Sequence, residues 1–251
     1  MKFSIVTAVF NSAETIADTV TSVQSQNYSN IEHIIQDGGS SDGTLDVIRR
    51  LDSPLTKLVS QQDAGIYDAI NKGISRATGD VIGLMHSDDF FAHDRVLERI
   101  AGFFDGQAVD GVYGDLDYVS ASDTRKVRRH WRSGPYRASL LSRGWMPPHP
   151  TLYLRREVYD RWGLYDTKFD IAADYDAILR YLHRGNIRLA YIPEVLVKMR
   201  TGGESNRSLA RILHKSREDY RAIRRNDIGG LATLTMKNAS KLVQFVQRER
   251  Y

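Results

Sequence analysis

The chain has 251 residues, 41% of them hydrophobic and 26% charged, which is enough for one large α/β domain or two small ones. It has no cysteine, which excludes disulfides, zinc-thiolate sites and a thiol nucleophile and fits a reducing compartment such as the cytoplasm. No apolar run approaches the roughly 18 residues of a bilayer-spanning helix, and the short apolar segment after Met1 predicts no cleaved signal peptide.

The net charge of +4 is unevenly distributed along the chain. Residues 1–100 carry 8 Lys/Arg against 14 Asp/Glu, whereas residues 200–251 carry 12 Lys/Arg against 5 Asp/Glu. A nucleic-acid-binding protein is expected to concentrate positive charge on its main fold. The acidic main fold therefore argues against a nucleic-acid partner, and the basic C-terminal segment is a separate feature.

Apolar runs and amphipathic segments alternate through the first half of the chain. Strands are predicted at residues 3–9, 31–37, 57–61 and 80–87, and helices at 11–26, at 45–51 and after Gly65. A polar or acidic residue stands at the end of each strand. The pattern predicts an α/β fold with a single doubly wound, mostly parallel sheet and flanking helices, in which the carboxyl edge of the sheet binds the ligand.

The second half continues with predicted helices at 95–104, 156–162 and 171–184, and with strands at 111–119, 151–154 and 187–192. A basic stretch lies at 125–132. After residue 205, apolar residues from Leu209 to Ile223 mark one face of a helix whose other face is basic, and a second helix follows Gly229-Gly230. With no repeat and no linker, we expect one domain over 1–205 and a basic amphipathic helical extension over 206–251.

Two adjacent carboxylates, Asp88 and Asp89, follow the fourth predicted strand. One explanation is that they cap a helix starting near Asp94. The other is a divalent cation, because Mg²⁺ or Mn²⁺ is commonly held by one or two carboxylates together with substrate phosphates. The absence of G-x-G-x-x-G after the first strand and of G-x-x-x-x-G-K-[ST] argues against a dinucleotide oxidoreductase and a P-loop NTPase. The ligand expected with the cation is a nucleotide diphosphate.

Six short motifs occur in order between residue 3 and about residue 205. They are Val-Thr-Ala-Val-Phe-Asn at 6–11, Asp-Gly-Gly-Ser-Ser-Asp-Gly-Thr at 37–44, Asp-Ala-Gly-Ile-Tyr-Asp-Ala-Ile-Asn-Lys-Gly at 63–73, Ala-Thr-Gly-Asp at 77–80, Ser-Asp-Asp at 87–89 and Ala-Asp-Tyr-Asp at 173–176. Together they resemble the family 2 glycosyltransferases, with the bacterial exopolysaccharide and colanic-acid enzymes as the nearest type. The resemblance implies a GT-A fold with a nucleotide-binding half at 1–90 and an acceptor half at 91–205.

The resemblance also implies an activity, which is inverting, metal-dependent transfer of a sugar, expected to be a hexose, from a UDP- or GDP-sugar to a glycan or lipid-linked acceptor in surface polysaccharide biosynthesis. By position in the motifs, Asp37 should contact the base, Asp88 the ribose or a phosphate, and Asp89 the Mn²⁺ or Mg²⁺ ion. Asp174 should be the base that removes the acceptor proton. The other residues expected to bind the nucleotide sugar are Val9, Asn11, Asp63, Asp68, Asn71 and Lys72.

This chain has Ala173 where the family commonly has the Glu of a Glu-Asp pair. Only one of Asp174 and Asp176 therefore carries over the role of the base, and a catalytically inactive nucleotide-sugar-binding scaffold is the alternative function. Structural roles are also open. Either aspartate could cap its helix, Asp37 could serve a turn, and the polar residues of 63–72 could form an ordinary helix start.

Three further features concern the acceptor and a membrane. His149 lies in a loop between prolines and is a candidate acceptor residue, although a loop histidine without a chemical role fits equally well. Arg129, in the basic stretch 125–132, is a candidate contact for acceptor phosphates. The basic helices of the extension either pack on the domain with a solvated basic side or bind an anionic membrane, at its inner face.

Overall fold

Four parallel strands form the first half of the sheet in the computed structural model, which describes residues 1–51, 53–202 and 209–246. The strands are β1 (Phe3–Val9), β2 (Ile31–Asp37), β3 (Thr56–Ser60) and β4 (Val81–Leu84). They are connected by the helices α1 (Ile16–Gln24), α2 (Thr44–Arg50) and α3 (Ile66–Arg76). The strand order β3-β2-β1-β4 brings the four carboxyl ends to one edge.

Apolar side chains on both faces of β1 hold this half together. Val9 packs with Val20 of α1 on one face, and Val6 packs with Ile70 of α3 on the other. Gly73 allows α3 to approach β1 closely, because a Cβ at this position would collide with the side chain of Val6. Burial on both faces explains why β1 and β4 are mainly apolar in the sequence, whereas β3 is only partly buried.

The second half of the sheet is mixed. Its strands are β5 (Phe90–Phe91), β6 (Gly111–Val119), β7 (Val127–Trp131), β8 (Tyr153–Arg155) and β9 (Leu189–Arg200). Its helices are α4 (Val96–Gly106), α5 (Arg156–Trp162) and α6 (Ala173–Leu179), and a π-helical turn over Arg180–Arg184 extends α6. From β4 the order continues β8-β6-β9-β5, with β7 paired to β6. Strands β6 and β9 are parallel, while β8 is antiparallel to both of its neighbours. The predicted single, largely parallel sheet with flanking helices is confirmed.

Three strands described here differ from the sequence prediction. Strand β9 continues to Arg200, well beyond residue 192, because the ladder with β6 shifts register opposite Pro193 and resumes after it. The basic stretch 125–132, for which no element is predicted, forms β7 along β6. Strand β4 ends at Leu84, three residues before its predicted end, so that residues 86–89 belong to the loop that follows it.

Helices α7 (Leu209–Arg225) and α8 (Leu231–Val246) pack against α6 and its approach through buried polar contacts. Glu218 of α7 accepts the backbone N–H groups of residues 170–172, immediately before α6. Asp219 forms a buried salt bridge with Lys237 of α8, with 2.7 Å between Oδ1 and Nζ. The basic extension therefore supports the segment that carries Asp174. Residues 206–208 and 247–251 of the predicted extension lie outside the described residues.

Candidate active site

The loops after β1, β2 and β4 are joined to one another at the carboxyl edge of the sheet. Asn11 Oδ1, after β1, accepts the N–H of Ser41, after β2, at 2.9 Å. The hydroxyl groups of Ser12 and Ser87 lie 3.0 Å apart and connect the loop after β1 with the loop after β4. Asn11 has a φ of 47°, a left-handed conformation that asparagine tolerates better than most residues. These contacts make the predicted ligand edge one connected surface.

Asp37, at the end of β2, is fully buried. Its Oδ1 accepts the hydroxyl of Ser40 at 2.5 Å, and its Oδ2 accepts the N–H of Gly39 at 2.9 Å and the hydroxyl of Ser60 at 2.6 Å. Burial raises the pKa of this carboxyl, but the hydrogen bonds from Ser40 and Ser60 outweigh it, so the pKa lies below its ordinary value. Both oxygens are engaged inside the protein, and Asp37 shapes the loop.

Phe10, Gly38 and Asp63 lie next to one another beside this loop, and we call this candidate site for the nucleotide base the Phe10–Asp63 pocket. The ring of Phe10 is 61% exposed, although the preceding Val9 is buried in the core. A Cβ on Gly38 would lie 2.5 Å from Asp63 Oδ2 and 3.4 Å from Phe10 Cδ2. Asp63 Oδ1 accepts the N–H of Gly65 at 2.9 Å, which orients the carboxylate. The pocket combines an accessible aromatic face with a carboxylate acceptor.

The polar residues of α3 bind other parts of the protein. Asp68 accepts the N–H of Ala64 at 3.0 Å and forms a 2.9 Å ion pair with Lys72. The amide of Asn71 bonds both backbone groups of Tyr165, at 2.8 and 3.0 Å. These contacts agree with the alternative of a helix start, and Asn71 also ties α3 to the segment before α6.

The acidic pair lies in a turn that Arg200, the last residue of β9, closes. The guanidinium of Arg200 donates to the C=O of Asp88 at 2.5 Å and also to the carboxylate of Asp18. Asp89 is 0% exposed; its Oδ1 accepts the N–H of Arg200 at 3.3 Å, and its Oδ2 has no hydrogen-bond partner among the described residues. Burial raises the pKa of Asp88, and burial together with the charge of Asp88 raises the pKa of Asp89 well above its ordinary value. Asp88 is the partly exposed member of the pair.

Two groups of side chains in the described residues are candidate cation sites. Asp88 and Asp89 fit, because Asp89 has a buried carboxylate oxygen without a partner, and the nearby charge of Arg200 does not offset the burial that raises both pKa values. Asp170, His214 and Glu218 bring three ligand atoms within 4.8 Å of one another. Both oxygens of Glu218, however, already accept backbone N–H groups, so this second cluster serves as the cap before α6.

Asp174 lies in the first turn of α6 and is connected to the loop after β4 through two histidines. Its Oδ2 lies 3.2 Å from His149 Nδ1, and His149 Nε2 lies 2.6 Å from His86 Nε2. The hydroxyl of Tyr67 on α3 donates to the C=O of Ile171 at 2.6 Å and lies 3.3 Å from Asp174 Oδ1. Burial raises the pKa of Asp174, but the hydrogen bond from His149 and the charges of Lys215 and Lys237 act in the opposite direction, so the pKa lies well below its ordinary value and the group is ionised at neutral pH. Burial lowers the pKa of His86 to about 3, which keeps its ring neutral.

The two aspartates that follow Ala173 have different surroundings. Asp176 is 1% exposed, and its Oδ1 accepts the amide N–H of Asn226 at 2.9 Å. It therefore belongs to the contact between α6 and α7. The side chain of Asp174 is 15% exposed and points to the His149 side of the helix. Of the two, Asp174 is placed to meet a substrate.

Arg129 of β7 lies on the side of the sheet that carries the acidic pair. Its guanidinium carbon is 3.8 Å from the centre of the Tyr118 ring. Burial raises the pKa of the Tyr118 hydroxyl, and the charges of Arg129 and Asp89 act on it in opposite directions.

Four residues of this edge are not selected by the sequence analysis, namely Phe10, Tyr67, His86 and Arg200. Phe10 and Tyr67 lie inside two of the quoted motifs, and His86 directly precedes a third, so their places at loop and helix starts could have singled them out. Arg200 could not be singled out, because the predicted last strand ends at residue 192, eight residues before it.

A parallel sheet whose carboxyl edge carries an acidic pair, continued by a mixed half that contributes an ionised aspartate, defines a glycosyltransferase of the GT-A fold. The sequence pattern of Glycosyl transferase family 2 matches residues 4–163, which is more than half of the chain. The chain belongs to that family. The family membership and the fold implied by the motifs are both confirmed.

Related proteins agree with this assignment. A glycosyltransferase of Mycobacterium tuberculosis, itself described as uncharacterized, is 33% identical over 183 residues, which cover 70% of this chain and 67% of the relative. A PGL/p-HBAD biosynthesis glycosyltransferase of Mycobacterium bovis is 28% identical over 209 residues, covering 81% of this chain and 79% of the relative.

Solved structures are similar over almost the whole chain. S. aureus TarS in complex with UDP-GlcNAc superposes with a TM-score of 0.70 at 18% identity. The alignment covers 99% of this chain and 72% of the TarS chain. The mannosyltransferase PcManGT from Pyrobaculum calidifontis, in complex with GDP-Man and Mn²⁺, gives a TM-score of 0.68 at 18% identity and covers 98% and 73%. At these identities the likeness establishes the fold.

Proposed function

We propose that this chain is an inverting glycosyltransferase that moves a hexose from a UDP- or GDP-sugar to a hydroxyl of a glycan or lipid-linked acceptor in surface polysaccharide biosynthesis. The observation that carries the proposal is the connection of Asp174, an ionised carboxylate, through His149 and His86 to the loop of Asp88 and Asp89. A catalytic base for the acceptor hydroxyl and a binding site for the donor diphosphate then lie at the same edge of the sheet. The complexes of the neighbours with UDP-GlcNAc and GDP-Man support the donor class, and the relative named for PGL/p-HBAD biosynthesis supports a biosynthetic role.

The Phe10–Asp63 pocket is proposed to hold the base. Phe10 offers a face for stacking, and Asp63 Oδ2 offers an acceptor. Uracil and guanine present a ring N–H to such an acceptor, whereas cytosine and adenine have a lone pair on the corresponding nitrogen, so the pocket favours UDP and GDP. Asp37 then acts through the shape of its loop. The nucleotide contacts predicted for Val9, Asn11 and the polar residues of α3 stay predictions.

Asp88 and Asp89 are proposed to hold the Mn²⁺ or Mg²⁺ ion, which when bound offsets the negative charge of the departing diphosphate. The family resemblance implies this role for Asp89 alone. We assign the accessible position to Asp88 and the inner position to Asp89, because Asp88 is partly exposed and Asp89 is buried behind it. The Mn²⁺ in the mannosyltransferase complex supports a divalent ion in this fold.

The chemistry proposed for Asp174 is that of a general base. Transfer with inversion is an in-line displacement at the anomeric carbon. The acceptor oxygen forms a bond to that carbon while its proton moves to Asp174, and the bond from the carbon to the diphosphate oxygen breaks with its electron pair left on the diphosphate. A positioned general base contributes about 10²–10⁴-fold to such a step. The depressed pKa of Asp174 ensures that the base is unprotonated at neutral pH.

The acceptor is proposed to bind on the β7 side, where Arg129 and the exposed Arg128 supply positive charge for a phosphate. Helix α7 carries the exposed arginines Arg217, Arg224 and Arg225 and the exposed apolar residues Ile212 and Leu213. This combination of positive charge and apolar surface suits binding to the cytoplasmic face of an anionic membrane. Among the described helices, none is both long enough and apolar enough to cross a membrane.

Nucleotide release tests the activity. Wild-type protein is incubated with Mn²⁺ and, in turn, UDP-glucose, UDP-GlcNAc, UDP-galactose and GDP-mannose, and free UDP or GDP is measured. We expect slow hydrolysis of at least one donor and a loss of about 100-fold or more in Asp174→Asn, with nucleotide binding retained. Asp160→Asn, which changes an exposed carboxylate of α5, is the matched control. Binding of a nucleotide sugar without any turnover would establish the scaffold alternative.

Vesicle sedimentation tests the membrane surface. Deletion of the extension is unsuitable, because it removes Glu218 and Asp219 from the support of α6. We expect the double variant Arg217→Glu/Arg224→Glu to bind phosphatidylglycerol vesicles more weakly than wild type, and neither protein to bind phosphatidylcholine vesicles. Arg50→Glu, an exposed reversal on α2, serves as the control for charge. Equal losses in the two variants would contradict a specific role of α7.

A further inference from the structure

His149 does not stand alone in a loop, because it occupies the space between two residues of the active-site edge. It begins a short 3-10 turn, His149–Thr151, whose Thr151 hydroxyl bonds the C=O of Gly114 on β6 at 3.0 Å. Its ring meets the His86 ring nearly edge-on, with centroids 4.8 Å apart and planes inclined by 78°. The side chain of His149 is 24% exposed. The turn thus holds the imidazole in a largely enclosed position.

The contacts of His149 define the direction of its hydrogen bonds. Asp174 is an acceptor, so the Nδ1 of His149 carries the hydrogen that points to Asp174 Oδ2. A neutral ring with a hydrogen on Nδ1 has a lone pair on Nε2. The 2.6 Å contact between the two Nε2 atoms then requires the hydrogen on His86. His86 donates to His149, and His149 donates to Asp174.

We propose that His149, backed by His86, is the positioning residue of the catalytic base. Its Nδ1–H fixes Oδ2 of Asp174, while the hydroxyl of Tyr67, which donates to the C=O of Ile171, lies 3.3 Å from Oδ1. Each carboxylate oxygen has two lone pairs, so a lone pair is left for the acceptor proton. The proposal rests on the proposed role of Asp174. It replaces the sequence prediction that His149 contacts the acceptor.

The pairing has a mechanical consequence. His86 is part of the loop that continues into Asp88 and Asp89, and His149 and Asp174 come from two other segments of the second half. The two histidines therefore set the distance between the base and the diphosphate end of the site. Misplacement of a reacting group by about 1 Å can cost on the order of 10²-fold in rate, so a positioning contact of this kind is expected to affect kcat more than KM.

The first test reads the hydrogen positions directly and needs no activity. Long-range ¹H–¹⁵N NMR of the full chain at neutral pH distinguishes a hydrogen on Nδ1 from one on Nε2. We expect the Nδ1–H form for His149 and the Nε2–H form for His86. In Asp174→Ala, His149 should lose its preference for the Nδ1–H form. A wild-type His149 in the Nε2–H form would overturn the proposal.

The second test uses hydrolysis of the donor that wild type turns over fastest, with water as the acceptor. His149→Ala removes both contacts, whereas His149→Asn keeps a donor at the δ position. We expect kcat to fall about 100-fold in His149→Ala and only about tenfold in His149→Asn, with the donor KM within about twofold. His183→Gln, which changes an exposed histidine, is the matched control.

The pH dependence of hydrolysis supplies a readout that a purely structural role would not change. Loss of a donor raises the pKa of a carboxylate, so the acid limb of the rate profile should move to higher pH in His149→Ala. The other groups that act on Asp174 or are acted on by it come from several elements, and all are retained in that variant; they are Tyr67, His86, Tyr165, Lys215 and Lys237.

The outcomes separate the two proposals. If His149 binds only the acceptor, hydrolysis by water and its pH profile stay unchanged in His149→Ala, which overturns the positioning role. If wild type hydrolyses no donor, or Asp174→Asn keeps full activity, the proposed function fails while NMR still decides the pairing. Melting temperatures are compared for all variants, and His149→Asn is used for the kinetics if His149→Ala does not fold.

Discussion

The carboxylate of Asp63 occupies the space that a side chain on residue 38 would fill. A Cβ on Gly38 would lie 2.5 Å from Asp63 Oδ2, so the absence of a side chain at position 38 allows the carboxylate to stand beside Phe10. The loop after β2 therefore supplies the space, and the loop after β3 supplies the hydrogen-bond acceptor. The family resemblance predicts that Asp37 contacts the nucleotide base. Both of its carboxylate oxygens, however, already accept hydrogen bonds from inside the protein.

This arrangement predicts weaker nucleotide binding in Gly38→Ala and Asp63→Ala. A hydrogen bond to a charged group contributes roughly 1.5–3 kcal/mol, so the Kd for UDP or GDP should rise about 10–100-fold in Asp63→Ala. Gly38→Ala should show the same direction, because the new methyl displaces Asp63. Calorimetric titration with UDP and GDP measures the effect. Gly102→Ala, where a Cβ meets nothing within 4 Å, should bind like wild type.

The ring of Phe10 is predicted to contribute to affinity and not to stability. Stacking of a base on an aromatic side chain is worth roughly 1–3 kcal/mol, so Phe10→Ala should raise the Kd for UDP or GDP about 5–100-fold. Its melting temperature should stay near that of wild type, because the ring is mostly exposed in the free protein. Phe10→Trp should retain binding. Equal affinities of Phe10→Ala and of Met236→Ala, an exposed apolar control on α8, would count against the pocket.

The buried charge of Asp89 predicts opposite effects of Asp89→Asn with and without metal. In EDTA the variant should be at least as stable as wild type, with a gain on the order of 1 kcal/mol, because a buried carboxylate that lacks a partner is costly. With Mn²⁺ at 100 times its Kd, wild type should gain about 2.7 kcal/mol and the variant much less. Thermal unfolding with and without Mn²⁺ measures both. Asp105→Asn, an exposed change on α4, should keep the full Mn²⁺ response.

The sheet edge could be predicted because local patterns determine it. Each parallel strand contains apolar residues and is followed by a polar loop, so the places of Asp37, Asp88 and Asp174 at or near element ends were visible in the sequence. What the sequence does not show is which oxygens face inward. Asp37 accepts a hydrogen bond from Ser60, and the buried Asp89 accepts one from Arg200. Both donors are distant in the chain from the aspartate that they contact.

The pairing of His149 with Asp174 was hidden for the same reason. The two residues are 25 positions apart, with β8 and α5 between them, and each has an ordinary local explanation as a loop histidine or a helix cap. Likewise, the alternation of apolar and polar residues predicted that α7 is amphipathic. It did not predict that Asp219, a polar residue of this helix, is buried. Local propensity predicts elements, and tertiary contacts decide which of their polar groups are available.

The salt bridge between Asp219 and Lys237 predicts that the C-terminal helices contribute strongly to stability. Both side chains are at most 3% exposed, and the Lys237 ammonium also lies 3.0 Å from the centre of the Tyr175 ring on α6. Lys237→Met leaves the charge of Asp219 buried without its main partner, so unfolding in urea should show a loss of about 3–5 kcal/mol. Lys168→Met, which changes an exposed lysine, should change stability little.

A double variant separates the value of the pair from the cost of breaking it. Asp219→Leu/Lys237→Leu removes both charges together, and replacement of a buried ion pair by apolar side chains is often neutral. We therefore expect the double variant to recover a large part of the stability lost in Lys237→Met. A double variant as unstable as the single one would show that the helices depend on the ion pair itself.

His33 in the middle of β2 predicts a specific acid sensitivity. Its ring is fully buried with Nε2 2.9 Å from the Thr7 hydroxyl, and burial lowers its pKa to about 3. In the unfolded chain a histidine has a pKa of about 6.5. Between these values the unfolded state binds a proton that the folded state does not, so this contribution to stability is complete above about pH 6.5 and is lost progressively as the pH falls toward 3. His86 acts in the same direction.

The measurement is urea unfolding at pH 7, 6, 5 and 4 for wild type and for Thr7→Val/His33→Leu. The double substitution removes the titrating ring and leaves no buried hydroxyl without its partner. Wild type should lose on the order of a few kcal/mol to His33 over this range, and the double variant should show a correspondingly shallower decline. His183→Leu, an exposed control, should follow the wild-type slope. Parallel slopes for the double variant and wild type would mean that His33 becomes protonated within the folded protein, and its burial would then not be the cause of the acid sensitivity.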